Sequence, residues 1–258
     1  MSPVCSIIIP VYGQAHFTEQ LLKRLRELGH CGADQIMVID GASEDWTFYL
    51  GDHFGQFGVE YRQQKDRLTF AQACNLGAAR AIGDFLVFLN NDTMPTDGWL
   101  MAMLKAMEDP EVGIVGSRLI FPPGHPQAGQ LQHCWLKWEE GMPTHAHYGE
   151  SAGLAAVCFD ADVLMVTGAC MMIRREVFEE LNGFDERYEN GCEDVDLCLR
   201  AGYNAWKVRY CADSILGHYE GQTPGRFDKT LENIQLFKHI HHPIQHMFKR
   251  AEASHYAT

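Results

Sequence analysis

No stretch of this sequence approaches the ~20 consecutive apolar residues that a bilayer-spanning helix needs, and no two of its cysteines form a CxxC pair. The first absence leaves no candidate for a membrane span, although contact with a membrane surface stays open. The nine Cys are odd in number and scattered, and none stands with His at zinc-site spacing. A zinc module or a disulfide framework is therefore not expected. Several thiols sit inside apolar runs, where Cys behaves as a small buried hydrophobe, and a reducing, cytoplasmic setting follows. Met1 leads almost at once into an apolar run, without the basic region and hydrophobic core of a signal peptide. Positive charge is also scarce: 21 Lys and Arg stand against 34 Asp and Glu, a net charge of −13. That argues against nucleic acid as a partner, since phosphate backbones want Lys and Arg. It leaves room for a phosphate ligand at a local site where a metal ion overrides the global sign. No GxGxxG follows any predicted strand, which excludes a dinucleotide oxidoreductase. No Gly-rich, Arg-bearing loop follows the first strand, which argues against a nucleotidyltransferase.

What is present is a core-forming chain of 258 residues, 46% of them hydrophobic. Val4 to Pro10 is short, β-branched and continuously apolar, as a strand buried on both faces of a parallel sheet reads. Phe17, Leu21, Leu22, Leu25 and Leu28 then fall at helical spacing, ending at Gly29. Strands are predicted over 35–40, 59–62 and 84–90, a helix over 68–81, a helix over 99–107 capped by Asp97, and a strand over 112–116. Strand alternating with helix implies a parallel sheet with right-handed crossovers. The fold class is therefore α/β, a Rossmann-like, mostly parallel sheet flanked by helices. Residues 121–162 are rich in Pro and Gly and hold no long periodic segment, which marks a functional or mobile region. An apolar run over 163–166 leads to another over 168–173, residues 205–216 can supply a last strand, and short helices are predicted over 174–181 and 193–201.

Several chemistry-bearing residues stand at element ends. Asp40 closes the second strand, and Phe85-Leu86-Val87-Phe88-Leu89 stops at Asn90-Asn91-Asp92. Strand C-termini share one edge of a parallel sheet, so Asp40 and Asp92 should face one crevice. Glu193-Asp194 opens a late helix, where the helix dipole favours anions, and His218 follows the last strand. A carboxylate there can hold a divalent cation together with diphosphate oxygens, and a second on the opposite wall can act as general base. Each piece has a plainer reading: Asp40-Gly41 as a turn, Asn90 to Thr93 as an Asx-turn, Glu193-Asp194 as a helix cap, His218 as a surface histidine. Their joint occurrence in this order favours a site.

SIIIPVYG (Ser6 to Gly13), VIDGASED (Val38 to Asp45), the run from Ala73 to Pro95, LQHCW (Leu131 to Trp135), the run from Thr167 to Tyr188 and CEDVDLCLRAGY (Cys192 to Tyr203) resemble the family 2 glycosyltransferases of the GT-A fold, over almost the whole length. The likeness is greatest to the bacterial, rhamnosyltransferase-like branch that builds surface polysaccharides. The resemblance implies a single GT-A domain over 1–258: a nucleotide-sugar-binding half (1–120), an irregular acceptor-side half (121–228) and a C-terminal helical tail (229–258). It implies an inverting transferase that moves a sugar from a UDP- or dTDP-linked donor to a saccharide or lipid-linked acceptor. Asp40, with Pro10, Val11 and Tyr12, would take the nucleotide, while Asn75 and Gly77 would run beside the diphosphate and donor sugar. Asn90, Asn91 and Asp92 match the DxD-type motif, with Asp92 and His218 toward Mg²⁺ or Mn²⁺ and Asn90 and Asn91 toward the nucleotide sugar. Asp194 would be the catalytic base with Glu193 in support, Gly168 and Ala169 would lie near the acceptor, and Arg226 would add positive charge over the diphosphate. Trp135 is a candidate to stack on an acceptor sugar or to act as a core residue. Asn90 stands where Asp would open the motif, which removes one anionic ligand, and Gly41 stands where Asn or Asp is more usual. The Gln-x-x-Arg-Trp stretch of processive synthases is absent, which points to single-sugar addition. The rival reading is a non-catalytic GT-A-like module. KHIHHPIQH (Lys238 to His246) carries four His, but Pro243 breaks the helix that would align them, so a solvated segment is expected. Ile240, Ile244, Met247 and Phe248 beside Lys238, Lys249 and Arg250 leave a peripheral membrane contact open. The oligomeric state has no sequence signal.

Overall fold

The computed structural model describes residues 4–139, 142–222 and 228–241. Strand and helix alternate from the start: β1 (Cys5–Val11), α1 (Ala15–Glu27), β2 (Gln35–Asp40), α2 (Phe48–Gly55), β3 (Val59–Gln63), α3 (Phe70–Ala78) and β4 (Phe85–Leu89). β5 (Thr93–Pro95), α4 (Trp99–Ala106) and β6 (Val112–Ile120) follow. The irregular region holds only short strands, β7 (Leu131–His133), β8 (Leu136–Glu139), β9 (Met142–His145) and β10 (Ala161–Val163). β11 (Cys170–Arg174), α5 (Arg175–Glu180), α6 (Glu193–Tyr203), β12 (Lys207–His218) and α7 (Thr230–Ile240) complete the described elements.

β3, β2, β1 and β4 lie side by side and parallel. β11 then enters antiparallel between β4 and β6, and β12 pairs parallel with β6 beyond it. Cys170 to Ile173 is fully buried, as its central place in the sheet requires. Alternate residues of β1 serve opposite layers. Ile7 and Ile9 pack with Leu21, Leu22 and Leu25 of α1 and Trp99 and Met103 of α4, whereas Ile8 packs with Cys74 of α3, Phe178 of α5 and Leu197 of α6. Burial on both faces is why the run carries no polar alternation.

α3 sits tightly on this sheet because of Gly77, where an added Cβ would lie 2.5 Å from Cγ2 of Ile8. One local expectation is corrected. Asp97 does not cap α4: its carboxylate takes the Arg24 guanidinium at 2.7 Å, and the left-handed Gly98 precedes the helix without a side-chain cap. β10 runs antiparallel along the edge of β12. α2 was not expected, because only Leu50 and Phe54 of its eight residues are buried, a single i,i+4 pair. Among the described residues no helix is long and apolar enough to cross a membrane.

Candidate active site

A cleft opens where β1 and β4 end, closed opposite by the start of α6 and the end of β12. At the β4 tip the main chain turns sharply: the Asn90 N–H donates to Ala169 O at 2.9 Å, and the Thr93 hydroxyl donates to Asn90 O at 2.7 Å. The turn expected over Asn90 to Thr93 is present, and it is what aims the Asp92 carboxylate at the cleft. Asn91 donates to the Thr18 hydroxyl of α1 at 3.0 Å, which anchors the tip from below. Asp92, 7% exposed, lines the cleft with its Oδ1 3.1 Å from Nε2 of His218.

The other nitrogen of that imidazole faces Gln132. Gln132 donates from its amide to His218 O and to Glu220, each at 3.2 Å, so its Oε1 is the atom that faces His218 Nδ1 at 2.6 Å. Nδ1 then donates to Gln132, and Nε2 faces Asp92, with the Asn90 amide 3.5 Å away. A carboxylate and an imidazole nitrogen held 3.1 Å apart can share a proton or a cation. That donor set, one carboxylate, one imidazole and an adjacent amide, fits a hard divalent cation sharing diphosphate oxygens. Among the described residues no three His, Cys, Asp or Glu side chains gather into a closed cage, so the arrangement is an open one.

On the facing wall, Asp194 accepts from the Gly168 N–H and from the Val195 N–H, each at 2.8 Å. Two main-chain donors fix the carboxylate and tie α6 to the turn before β11. Glu193, 3% exposed, accepts from the Gly191 N–H, which braces the left-handed turn at Cys192. Pro10, Val11 and Tyr12 line the near end of the cleft, and the Arg67 guanidinium lies 4.2 Å over the Tyr12 ring. Gly168 and Ala169 also line it.

Other expected site residues stand elsewhere. Asp40 is fully buried, its carboxylate taken by the Ser43 N–H and hydroxyl at 2.8 and 2.5 Å and by the Tyr61 hydroxyl. It is not among the residues facing the cleft. Burial and then the Asp40 carboxylate push the Tyr61 phenol above its ordinary range. Gly41 has no room for a side chain, because an added Cβ would lie 2.9 Å from the Leu68 backbone nitrogen. Asn75 bonds both backbone groups of Phe184, at 2.9 Å each, and Glu186, and Gly77 is the packing contact already described. Trp135 packs against His147 and Tyr210, away from the cleft. Arg226 and the stretch from His242 onward lie outside the described residues. Gln132, His133, His145 and Arg67 were missed. LQHCW contains the first two, but the Trp drew attention first, and nothing local marks a Gln or His as facing a partner far along the chain.

The fold is GT-A. GalNAc-T7, solved with UDP, GalNAc and Mn²⁺, superposes with a TM-score of 0.71 at 15% identity, covering 95% of this chain and 50% of that one. The mannosyltransferase PcManGT of Pyrobaculum calidifontis, solved with GDP-Man and Mn²⁺, gives 0.63 at 18% identity, covering 87% and 59%. The chain belongs to glycosyl transferase family 2, whose model matches residues 6–182. It is 30% identical over 229 residues to the O-antigen biosynthesis protein RfbC of Myxococcus xanthus, covering 85% of this chain and 17% of that protein. It is 25% identical over 228 residues to the O-antigen chain rhamnosyltransferase RfbN of Salmonella typhimurium, covering 85% and 67%. The chain spans less than half the length of several curated relatives it matches.

Proposed function

We propose that the protein is an inverting, non-processive glycosyltransferase that moves one sugar from a UDP- or dTDP-linked donor to a hydroxyl of a saccharide or lipid-linked acceptor in surface-polysaccharide assembly. The observation that carries this reading is the pairing of Asp92 and His218 at 3.1 Å on one wall of a cleft whose other wall holds Asp194. The relatives named for O-antigen synthesis support the pathway, and the neighbours solved with Mn²⁺ support metal use.

Inversion needs a base that strips the acceptor hydroxyl as its oxygen attacks the anomeric carbon. Asp194 supplies it, because its two backbone bonds fix the carboxylate toward the cleft. Glu193 holds the turn from which Asp194 projects. Asp92 and His218, with Asn90 beside them, would hold Mg²⁺ or Mn²⁺, which when bound takes up charge developing on the leaving diphosphate. Tyr12 offers a ring, backed by the Arg67 guanidinium, against which a pyrimidine base can lie. Nine cysteines with no disulfide among the described residues support a cytoplasmic site of action, facing the membrane that carries lipid-linked acceptors.

Thermal melts with UDP, dTDP and GDP, each with Mn²⁺ or EDTA, test the donor side. A ligand at one hundred times its Kd stabilises the native state by about 2.7 kcal/mol. An upward, Mn²⁺-dependent shift with UDP or dTDP, lost in Asp92→Ala, is expected. No shift with any nucleotide overturns the reading and leaves a non-catalytic module.

A further inference from the structure

Two histidines in the acceptor-side lobe are wired in series, and a backbone group sets the polarity of the wire. The Thr167 N–H can only donate, and it points at Nε2 of His133 over 3.2 Å. That nitrogen therefore carries a lone pair, and the ring proton of His133 is on Nδ1. Nδ1 of His133 lies 2.9 Å from Nδ1 of His145, so His133 donates and His145 accepts. His145, accepting at Nδ1, has its proton on Nε2. An imidazolium at His145 would bring a second proton into the same short contact, so both rings are neutral. His133 is fully buried, and burial, then the nearby His145 and His218, hold its pKa well below the ordinary imidazole range.

The pair is built into the same short segment as the proposed base. Met165 O accepts from the Leu136 N–H at 2.9 Å and holds the β8–β9 hairpin, whose Leu136 pairs with His145. Thr167 N–H holds His133, and Gly168 N–H holds Asp194. His145 lines the cleft; His133 does not.

We propose that His133 is a positioning residue that locks His145 as its Nε2–H tautomer, so that the one ring lone pair of His145 is held by His133 and β9 presents no second base beside Asp194. The base role of Asp194 rests on the transfer reading above, whereas the tautomer assignment stands without it.

The test is a long-range ¹H–¹⁵N NMR spectrum of the full chain with labelled His rings near neutral pH, with the His145 signals assigned through His145→Gln. The expected spectrum shows His145 protonated at Nε2 alone. His133→Asn, whose amide NH₂ takes the place of Nδ1–H, keeps that tautomer. His133→Leu removes the donor and yields a mixture of tautomers, while the nucleotide and Mn²⁺ melt shift stays, since Asp92 and His218 are untouched. A wild-type His145 that is Nδ1-protonated or imidazolium, or a tautomer unchanged in a folded His133→Leu, overturns the proposal. The wild-type and His133→Asn spectra decide it even where His133→Leu does not fold. A wild-type protein with the expected tautomer but no nucleotide shift overturns the transfer reading alone.

Discussion

Asp194 and Asp92 are both acidic tips at element ends, yet their surroundings give them different work. Asp194 accepts from two main-chain N–H groups, and Asp92 faces Nε2 of the His218 imidazole. Asp194→Asn keeps the side-chain shape and removes the proposed base, so sugar transfer should fall about 10²–10⁴-fold. The nucleotide and Mn²⁺ melt shift should survive, because the donor wall is unchanged. Loss of both together would place Asp194 in donor binding instead. At this scale the sequence marks carboxylates well, because a charged residue at the end of an apolar run has no packing reason to be there. Asp40 shows the limit: it also ends such a run, but Ser43 and Tyr61 take its carboxylate. Tyr61 is 21 residues away along the chain, where no motif reaches.

The helix α3 carries two devices visible at the scale of a single element. Thr69 and Gln72 form a reciprocal capping box, with bonds of 3.2 and 3.0 Å, and Gly77 brings the helix onto β1 at Ile8. Thr69→Ala should cost about 1 kcal/mol through the lost cap. Gly77→Ala forces a methyl against Ile8 and should cost about 1–3 kcal/mol, read as a lower urea midpoint with an unchanged slope. Intact stability together with lost nucleotide binding in Gly77→Ala would instead assign that glycine to the donor. The helix itself was legible from periodicity. The reason for its glycine was not, since the atom it avoids belongs to a strand almost seventy residues earlier.

Across the whole molecule the nine thiols form a natural probe of packing. Six are buried, Cys31 and Cys192 are half-buried, and Cys158 is exposed. Burial pushes the thiols of Cys5, Cys134, Cys170 and Cys198 up to about 12 from the ordinary 9.0. Cys158 should therefore react first with a thiol reagent in the native protein, and the buried six only on unfolding. The folded state holds these protons more tightly than the unfolded chain. Their contribution to stability is thus complete below pH 9.0 and is lost as pH rises toward about 12. Urea midpoints should fall over that alkaline window, and a flat profile would show that the thiols are not sealed in the core.

Periodicity and turn residues were enough to mark the first alternating strands and helices, because side-chain spacing along a strand or helix is a property of near neighbours in the chain. They also marked the acidic tips of β4 and α6, and the motifs were enough to suggest the family. Three matters were decided only by the tertiary structure. β11 inserts antiparallel between β4 and β6, Trp135 turns toward Tyr210, and one backbone bond and one side-chain bond set the protons of His133 and His145. Each depends on groups brought together from distant parts of the chain, and their free energy comes from burial and hydrogen bonding that exist only once the sheet has assembled.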